Sequence, residues 1–140
     1  MAVVMPARMM DLAQHNGPED FKARIEGMLG KTLAGTEVLG SDVLVATYVE
    51  PEKRGSLFIP QKSVQESIFQ GRIGLILKMG STAFKYTKGG YAWEGPKPQV
   101  GDWILFRFAD AWELYLSGVS CRVVDAEVVR AIIEKPEVVF

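Results

Sequence analysis

SDVLVATYVEPEKRGSLFIPQKSVQESIFQGRIGLILKMG, residues 41–80, holds two strand-like segments separated by a long polar stretch that carries one apolar triplet. Residues 42–49 and 72–78 are rich in Val, Ile, Leu, Thr and Tyr, side chains that fit a pleated, half-buried surface, and both read as strands. Between them, residues 50–70 contain Pro51, Gly55, Pro60 and a scatter of Glu, Lys, Arg, Gln and Ser. That is loop composition, at a length small domains rarely leave without a role. Inside it stand Leu57, Phe58 and Ile59. Three consecutive large apolar side chains must be buried against their own domain or against a partner, because nothing else offsets their exposure. In one reading the triplet is a short strand docked on its own barrel. In the other, the loop offers it to a groove on a partner, with Arg54, Gly55 and Pro60 shaping the turn.

Outward from this stretch, the chain reads as one domain. Its 140 residues are 48% hydrophobic, enough to fill a single core. A net charge of -1 and a pI near 5.9 leave no basic footprint, so neither nucleic acid nor an anionic membrane is expected as a partner. The start MAVVMPARMMDLAQ lacks a basic region followed by an unbroken apolar run, and the expectation is a soluble, cytoplasmic protein. The single cysteine, Cys121, lies in an alternating apolar segment and reads as a small buried hydrophobe.

Residues 1–17 show no clean period and read as a loosely packed arm or as a short helix over residues 7–15. The run PEDFKARIEGMLG has a proline and acids at a helix start, Phe21, Ile25, Met28 and Leu29 on one face, and Gly30 as a stop. It predicts an amphipathic helix over residues 18–29, standing outside the core of the β domain. Residues 1–35 are thus an N-terminal helical extension, and residues 36–140 the main domain. Residues 72–78 form a strand with Gly74 as a bulge or close backbone approach. Residues 81–99 turn aromatic and loop-like, with Phe84, Tyr86, Tyr91 and Trp93, and read as a long excursion or a hairpin. A β rhythm resumes over residues 100–108, 112–116 and 119–124, with a turn at Ser117-Gly118, and the chain closes with apolar residues to Ile133 and a tail over 134–140. Short strands, frequent turns and few helices predict a mainly β fold, a small barrel or barrel-like sandwich.

The order of these pieces resembles the GroES-type co-chaperonins over about residues 42–133. DVLVATYVE matches the family's first strand, and Gly55, Ser56, Leu57, Phe58, Ile59 and Pro60, GSLFIP, are similar in position and character to the tripeptide region of its mobile loop. GRIGLILKMG matches the return strand, residues 81–99 sit where the family has its roof hairpin, VGDWILF resembles the Val-Gly-Asp strand start, and CRVVDAEVVRAII is similar to the closing strand and acidic turn. Residues 1–40 have no counterpart, the roof is unusually aromatic, and the tail runs past the usual end. These departures are of the kind found in phage-encoded relatives.

The resemblance implies a GroES-like β-barrel and a homo-oligomeric ring whose loops, through residues 55–60, dock on a chaperonin and cap its folding chamber. A rival expectation is a structural protein of a phage particle, a head decoration or capsid-stabilising subunit in which the same barrel is fixed to capsid protein; its place would be the virion rather than the host cytoplasm. Burying the triplet contributes roughly 4–8 kcal/mol gross, at about 1.5–3 per side chain. Ordering a loop takes back about 2–5 kcal/mol. One loop therefore binds weakly and a ring of loops binds with avidity.

Catalysis is not expected. The one histidine, His15, reads as a solvated surface residue, and a single chain with one histidine builds neither a histidine-based triad nor a multi-histidine metal site. The carboxylates Glu50, Glu52, Asp102, Asp125 and Glu127 read as loop solvation or turn capping. No glycine-rich phosphate cradle opens a helix. No cofactor or metal is expected. Among the aromatics, Phe84, Tyr86, Tyr91 and Trp93 read as a hairpin minicore or subunit packing, and Trp103, Phe106 and Phe108 as core or interface.

Overall fold

A computed structural model describes residues 7–49 and 73–136. Its elements are α1 (Ala7–Leu12), α2 (Pro18–Ala34), β1 (Asp42–Thr47), β2 (Ile73–Met79), β3 (Trp103–Leu105), β4 (Ala111–Leu116), β5 (Val119–Asp125) and β6 (Ala131–Ile133), with short 3-10 turns after β3 and β5. The strands form one six-stranded sheet in the order β4-β5-β1-β2-β3-β6, and every pairing is antiparallel. The fold is mainly β, as expected from the sequence. Among the described residues the sheet is not closed into the small GroES-like barrel expected from the sequence: the five pairings leave β4 and β6 as its two edges.

Alternation along the strands sends side chains to two cores, one on each face. Leu44, Ala46 and Tyr48 of the first strand and its extension, Leu75, Trp103, Val119 and Cys121 lie on one face. Val43, Val45, Ile76, Ile104, Phe106 and Val124 lie on the other, beneath Phe84 and Ala126. The register of β1 against β2 skips one residue, from Leu44 opposite Lys78 to Val45 opposite Ile76, which makes Leu77 the bulged position. Gly74 is the close approach. A Cβ there would lie 2.6 Å from the Val45 side chain and 3.0 Å from the Phe106 ring. The β4–β5 hairpin turns through Ser117 and Gly118, both left-handed at φ 49 and 82, the two-residue turn whose twist suits paired strands.

The helical extension does not stand outside the core, as the sequence reading had it. Phe21, Ile25 and Leu29 of α2 are buried in the same cluster as Leu44, Tyr48 and Trp103, with Met9 and Leu12 of α1 beside them. The helix also runs through Gly30 to Ala34. Glycine inside a helix costs about 1 kcal/mol, and the helix contains Gly27 and Gly30. Burying Phe21, Ile25 and Leu29 contributes roughly 5–9 kcal/mol gross, so tertiary packing outweighs propensity. The helix stops at Gly35, where the Gly35 N–H and the Thr36 hydroxyl both bond the Thr32 carbonyl, at 3.2 and 2.8 Å. At its start the Asp20 carboxylate accepts from the Asn16 N–H at 2.9 Å and from Arg24 Nε at 3.1 Å. These two bonds, the backbone one foremost, hold the Asp20 carboxyl below its usual range.

Candidate functional site

The residues singled out for partner binding, Gly55, Ser56, Leu57, Phe58, Ile59 and Pro60, lie outside the described residues. The structure describes the residues on either side of 50–72. Beyond β1, Tyr48 and Val49 remain fully buried, and the Tyr48 N–H donates to the Ile73 carbonyl at 3.0 Å. The described residues on either side of 50–72, Val49 and Ile73, therefore lie at neighbouring ends of β1 and β2, the central pair of the sheet.

These ends are packed by four rings drawn from three parts of the chain. Tyr48 meets Trp103 edge-on at 5.0 Å and Phe21 at 5.1 Å, and His15 stands 5.2 Å from Phe21 and 5.4 Å from Tyr48. Such pairs contribute about 0.5–1.5 kcal/mol each beyond the area they bury. Lys22 Nζ covers the outer side, 5.6 Å from the centre of the Trp103 ring. Trp103 is thus core, as expected.

His15 is a correction. It is 2% exposed, not a solvated surface residue. Nε2 lies 2.7 Å from the Val49 carbonyl, and Nδ1 lies 3.0 Å from the Gly17 N–H and 3.1 Å from the Gly17 carbonyl. A tautomer with the proton on Nε2 donates to Val49 and accepts from Gly17, so both ring nitrogens find partners out of water. Sequence reasoning missed it because residues 1–17 carry no periodic stripe. The available signal was a lone histidine two residues before a glycine that opens a helix.

Residues 81–99 form a short hairpin. Tyr86 bridges Ala92, the Thr87 N–H donates to the Tyr91 carbonyl at 2.7 Å, and the Trp93 N–H to the Lys85 carbonyl at 2.9 Å. Phe84 and Trp93 make the minicore, edge-to-face at 5.2 Å, whereas Tyr86 and Tyr91 are exposed. Between hairpin and β6 lies a groove of about 390 Å³ walled by Phe84, Trp93, Pro96, Pro98 and Ile132. Of the carboxylates read as loop solvation or turn capping, Glu50 and Glu52 lie outside the described residues, and Asp102, Asp125 and Glu127 hold this region. Asp102 Oδ2 accepts from the Gln99 N–H at 2.8 Å, and Asp125 Oδ1 from the Glu127 N–H at 2.9 Å. Lys88 pairs with Asp125 at 2.9 Å, while its own N–H donates to Glu127 Oε1 at 3.0 Å. Burial pushes the Asp125 carboxyl up, but the Glu127 N–H, Lys88 and Ser41 outweigh it and leave the group below its usual range.

Cys121 is fully buried, and burial pushes its thiol up to about 12 against a smaller opposing effect of the Leu116 backbone. Phe106 is buried; Phe108 is partly exposed, with the Arg122 guanidinium 4.2 Å from its ring centre. Among the described residues, no group of three or more His, Cys, Asp or Glu side chains is placed to hold a metal ion, and no helix is long and apolar enough to cross a membrane. No protein-family model matches the chain, and no curated protein matches it. The site that the described residues define is thus a buried aromatic cluster at the ends of the two central strands, β1 and β2, in a sheet whose open edges are β4 and β6.

Proposed function

We propose that this chain is a non-catalytic, co-chaperonin-like ring subunit whose loop triplet Leu57-Phe58-Ile59 docks on a chaperonin and helps cap its folding chamber. The observation that supports this reading is the placement of the chain on either side of residues 50–72: Val49 and Ile73 lie at adjacent ends of the two central strands, and buried rings pack around Tyr48 there. A rigid base lowers the entropy lost when a loop is ordered on a partner. Capture on chaperonin with and without ATP tests it. Retention only in the nucleotide-bound state supports the reading; no capture in either state overturns it. Phe58→Asp puts a charge where a dry groove would take an aromatic ring, so it should abolish capture while thermal unfolding stays within a few degrees of the parent. A large fall in melting temperature would mean that the triplet is core.

We infer that copies of this open sheet close a ring through its two edges. Five successive antiparallel pairings separate β4 from β6, so the two edges run in opposite directions. A rotation about an axis along the strands keeps strand direction and face, and so sets one copy's β6 antiparallel to the next copy's β4. Head-to-tail repetition of this contact closes a ring and covers both edges. The exposed Trp112 and Tyr115 of β4 and Ile132 of β6 favour a contact there. The same exposed aromatics, with Tyr91 on the hairpin, support the second reading, a capsid-bound phage structural protein; capture on assembled capsids in place of chaperonin would select it.

A further inference from the structure

We propose that the groove between the hairpin over residues 81–99 and β6 binds a small zwitterion with an apolar side chain, an aromatic or branched free α-amino acid. Its walls are the Phe84 and Trp93 rings, Pro96, Pro98 and Ile132, which together offer about 390 Å³ to an apolar side chain. Its rim carries one base, Arg130, and one acid, Glu94, both exposed. Among the described residues neither of these side chains makes an ion pair or a hydrogen bond. Asp110, which feels the Arg130 charge, is already held by two bonds from Arg107 at 2.9 and 3.2 Å. The groove thus pairs an apolar seat with one unanswered charge of each sign.

The walls are set before any ligand arrives. Phe84 stands edge-to-face on Trp93 at 5.2 Å, and Trp93 Nε1–H donates to the Pro96 carbonyl at 3.2 Å, so both rings are fixed. Phe84 also holds a left-handed backbone at φ 58, which a large side chain adopts only at a cost; such strain gathers where a side chain must be presented. Among the described residues the other non-glycine residue with positive φ is Ser117, in the β4–β5 turn. A ligand with one carboxylate and one ammonium answers Arg130 and Glu94 together, whereas a peptide terminus brings only one of the two charges. The groove opens beside β6 and so borders the edge that the ring reading gives to a neighbour's β4, but the site itself needs no neighbour.

The test titrates L-phenylalanine into the full chain and follows the indole N–H signal of Trp93 by NMR, with those of Trp103 and Trp112 as controls. A saturable shift at Trp93 is expected, with half-saturation at about 0.1–5 mM because exposed ion pairs add little affinity each. Phenylpropionate lacks the ammonium and phenylethylamine the carboxylate, and each should bind about three- to tenfold more weakly. Glycine, with both charges and no apolar side chain, should leave the signal unmoved. Arg130→Gln should abolish the advantage of phenylalanine over phenylethylamine, and Glu94→Gln its advantage over phenylpropionate. Both residues are exposed, so both variants should fold as the parent does. No shift at Trp93 at the solubility limit of phenylalanine, equal shifts at all three indoles, or equal affinity for phenylalanine and its two analogues overturns the proposal. One analogue alone binding as tightly as phenylalanine overturns it in favour of a peptide terminus. Should self-association cover the rim, the same titration in Trp112→Asp decides.

Discussion

Cys121 and His15 are both fully inside the fold, yet only one of them was readable in the sequence. Cys121 stands in the alternation Val119, Cys121, Val123, and a small side chain at the period of a buried strand face is core whatever its chemistry. With its thiol raised to about 12 by burial, it is protonated at neutral pH. Iodoacetamide at pH 7.5 should leave the native protein unlabelled and modify it fully in denaturant, a contrast that mass spectrometry reads directly. Rapid native labelling would mean that β5 opens easily. His15 has no such period around it, and its burial is decided by two backbone groups, at Gly17 and Val49, that only the tertiary fold brings together. Gly80 is similar. Its bounding position after β2 was legible, but a Cβ there would run into the Gly40 carbonyl, a backbone neighbour with no side chain to swing away. Gly80→Ala should therefore cost about 1–3 kcal/mol, as overpacking does, and lower the melting temperature by roughly 3–10 °C in calorimetry.

At the scale of elements, strands were read better than helices because a period of two with β-branched residues leaves little room for another fit. The central pair β1 and β2 and the β4–β5 hairpin fall within a residue or two of the sequence reading. β3 is shorter than the run over residues 100–108 implied. Gly101 and Asp102 are spent on a turn in which the Gly101 N–H bonds the Ile76 carbonyl at 2.9 Å and Asp102 caps Gln99, and a 3-10 turn begins at Phe108. The helix α2 outran its apparent stop because packing against the sheet outweighs two glycines. The hairpin over residues 81–99 is held from outside, by Lys88 on Asp125 and Glu127, a link no local pattern displays. Because the Asp125 carboxyl titrates below its unfolded value, its stabilising contribution is present above about pH 4 and fades as pH falls through the lower folded value. Asp125→Asn should remove that acid dependence. The chemical shifts of Lys88 and Tyr91 would then titrate less between pH 5 and 2 than in the parent, and an unchanged profile would assign the dependence to other carboxylates.

For the whole molecule, the decisive property is that the sheet is open with its two edges antiparallel, a consequence of strand order that local sequence patterns do not reveal. Faces as well as directions are fixed. Trp112 lies opposite Val123 on the helix-covered face, which is also the face of Trp103 and its β3–β6 partner Ile133; Glu113 points to the other face, shared by Ile132 and, by alternation, Arg130. An antiparallel contact that sets Trp112 of one copy opposite Ala131 of the next therefore sets Glu113 opposite Arg130, an acid against a base, both exposed in the single chain. Directly opposed charges on paired strands contribute or cost about 0.2–1 kcal/mol, too little to build the proposed ring alone. Repeated at every interface, that increment moves the assembly equilibrium appreciably. Glu113→Arg should therefore shift light scattering toward smaller species at micromolar concentration, Arg130→Glu should do the same, and the double exchange should restore the parent distribution because it re-forms the pair with its signs reversed. Trp112→Asp removes the exposed ring from the edge and should leave a folded monomer that retains the far-ultraviolet signature of the sheet. A parent that is monomeric throughout, or a double exchange no better than either single variant, would separate these two edges and leave the ring without its contact.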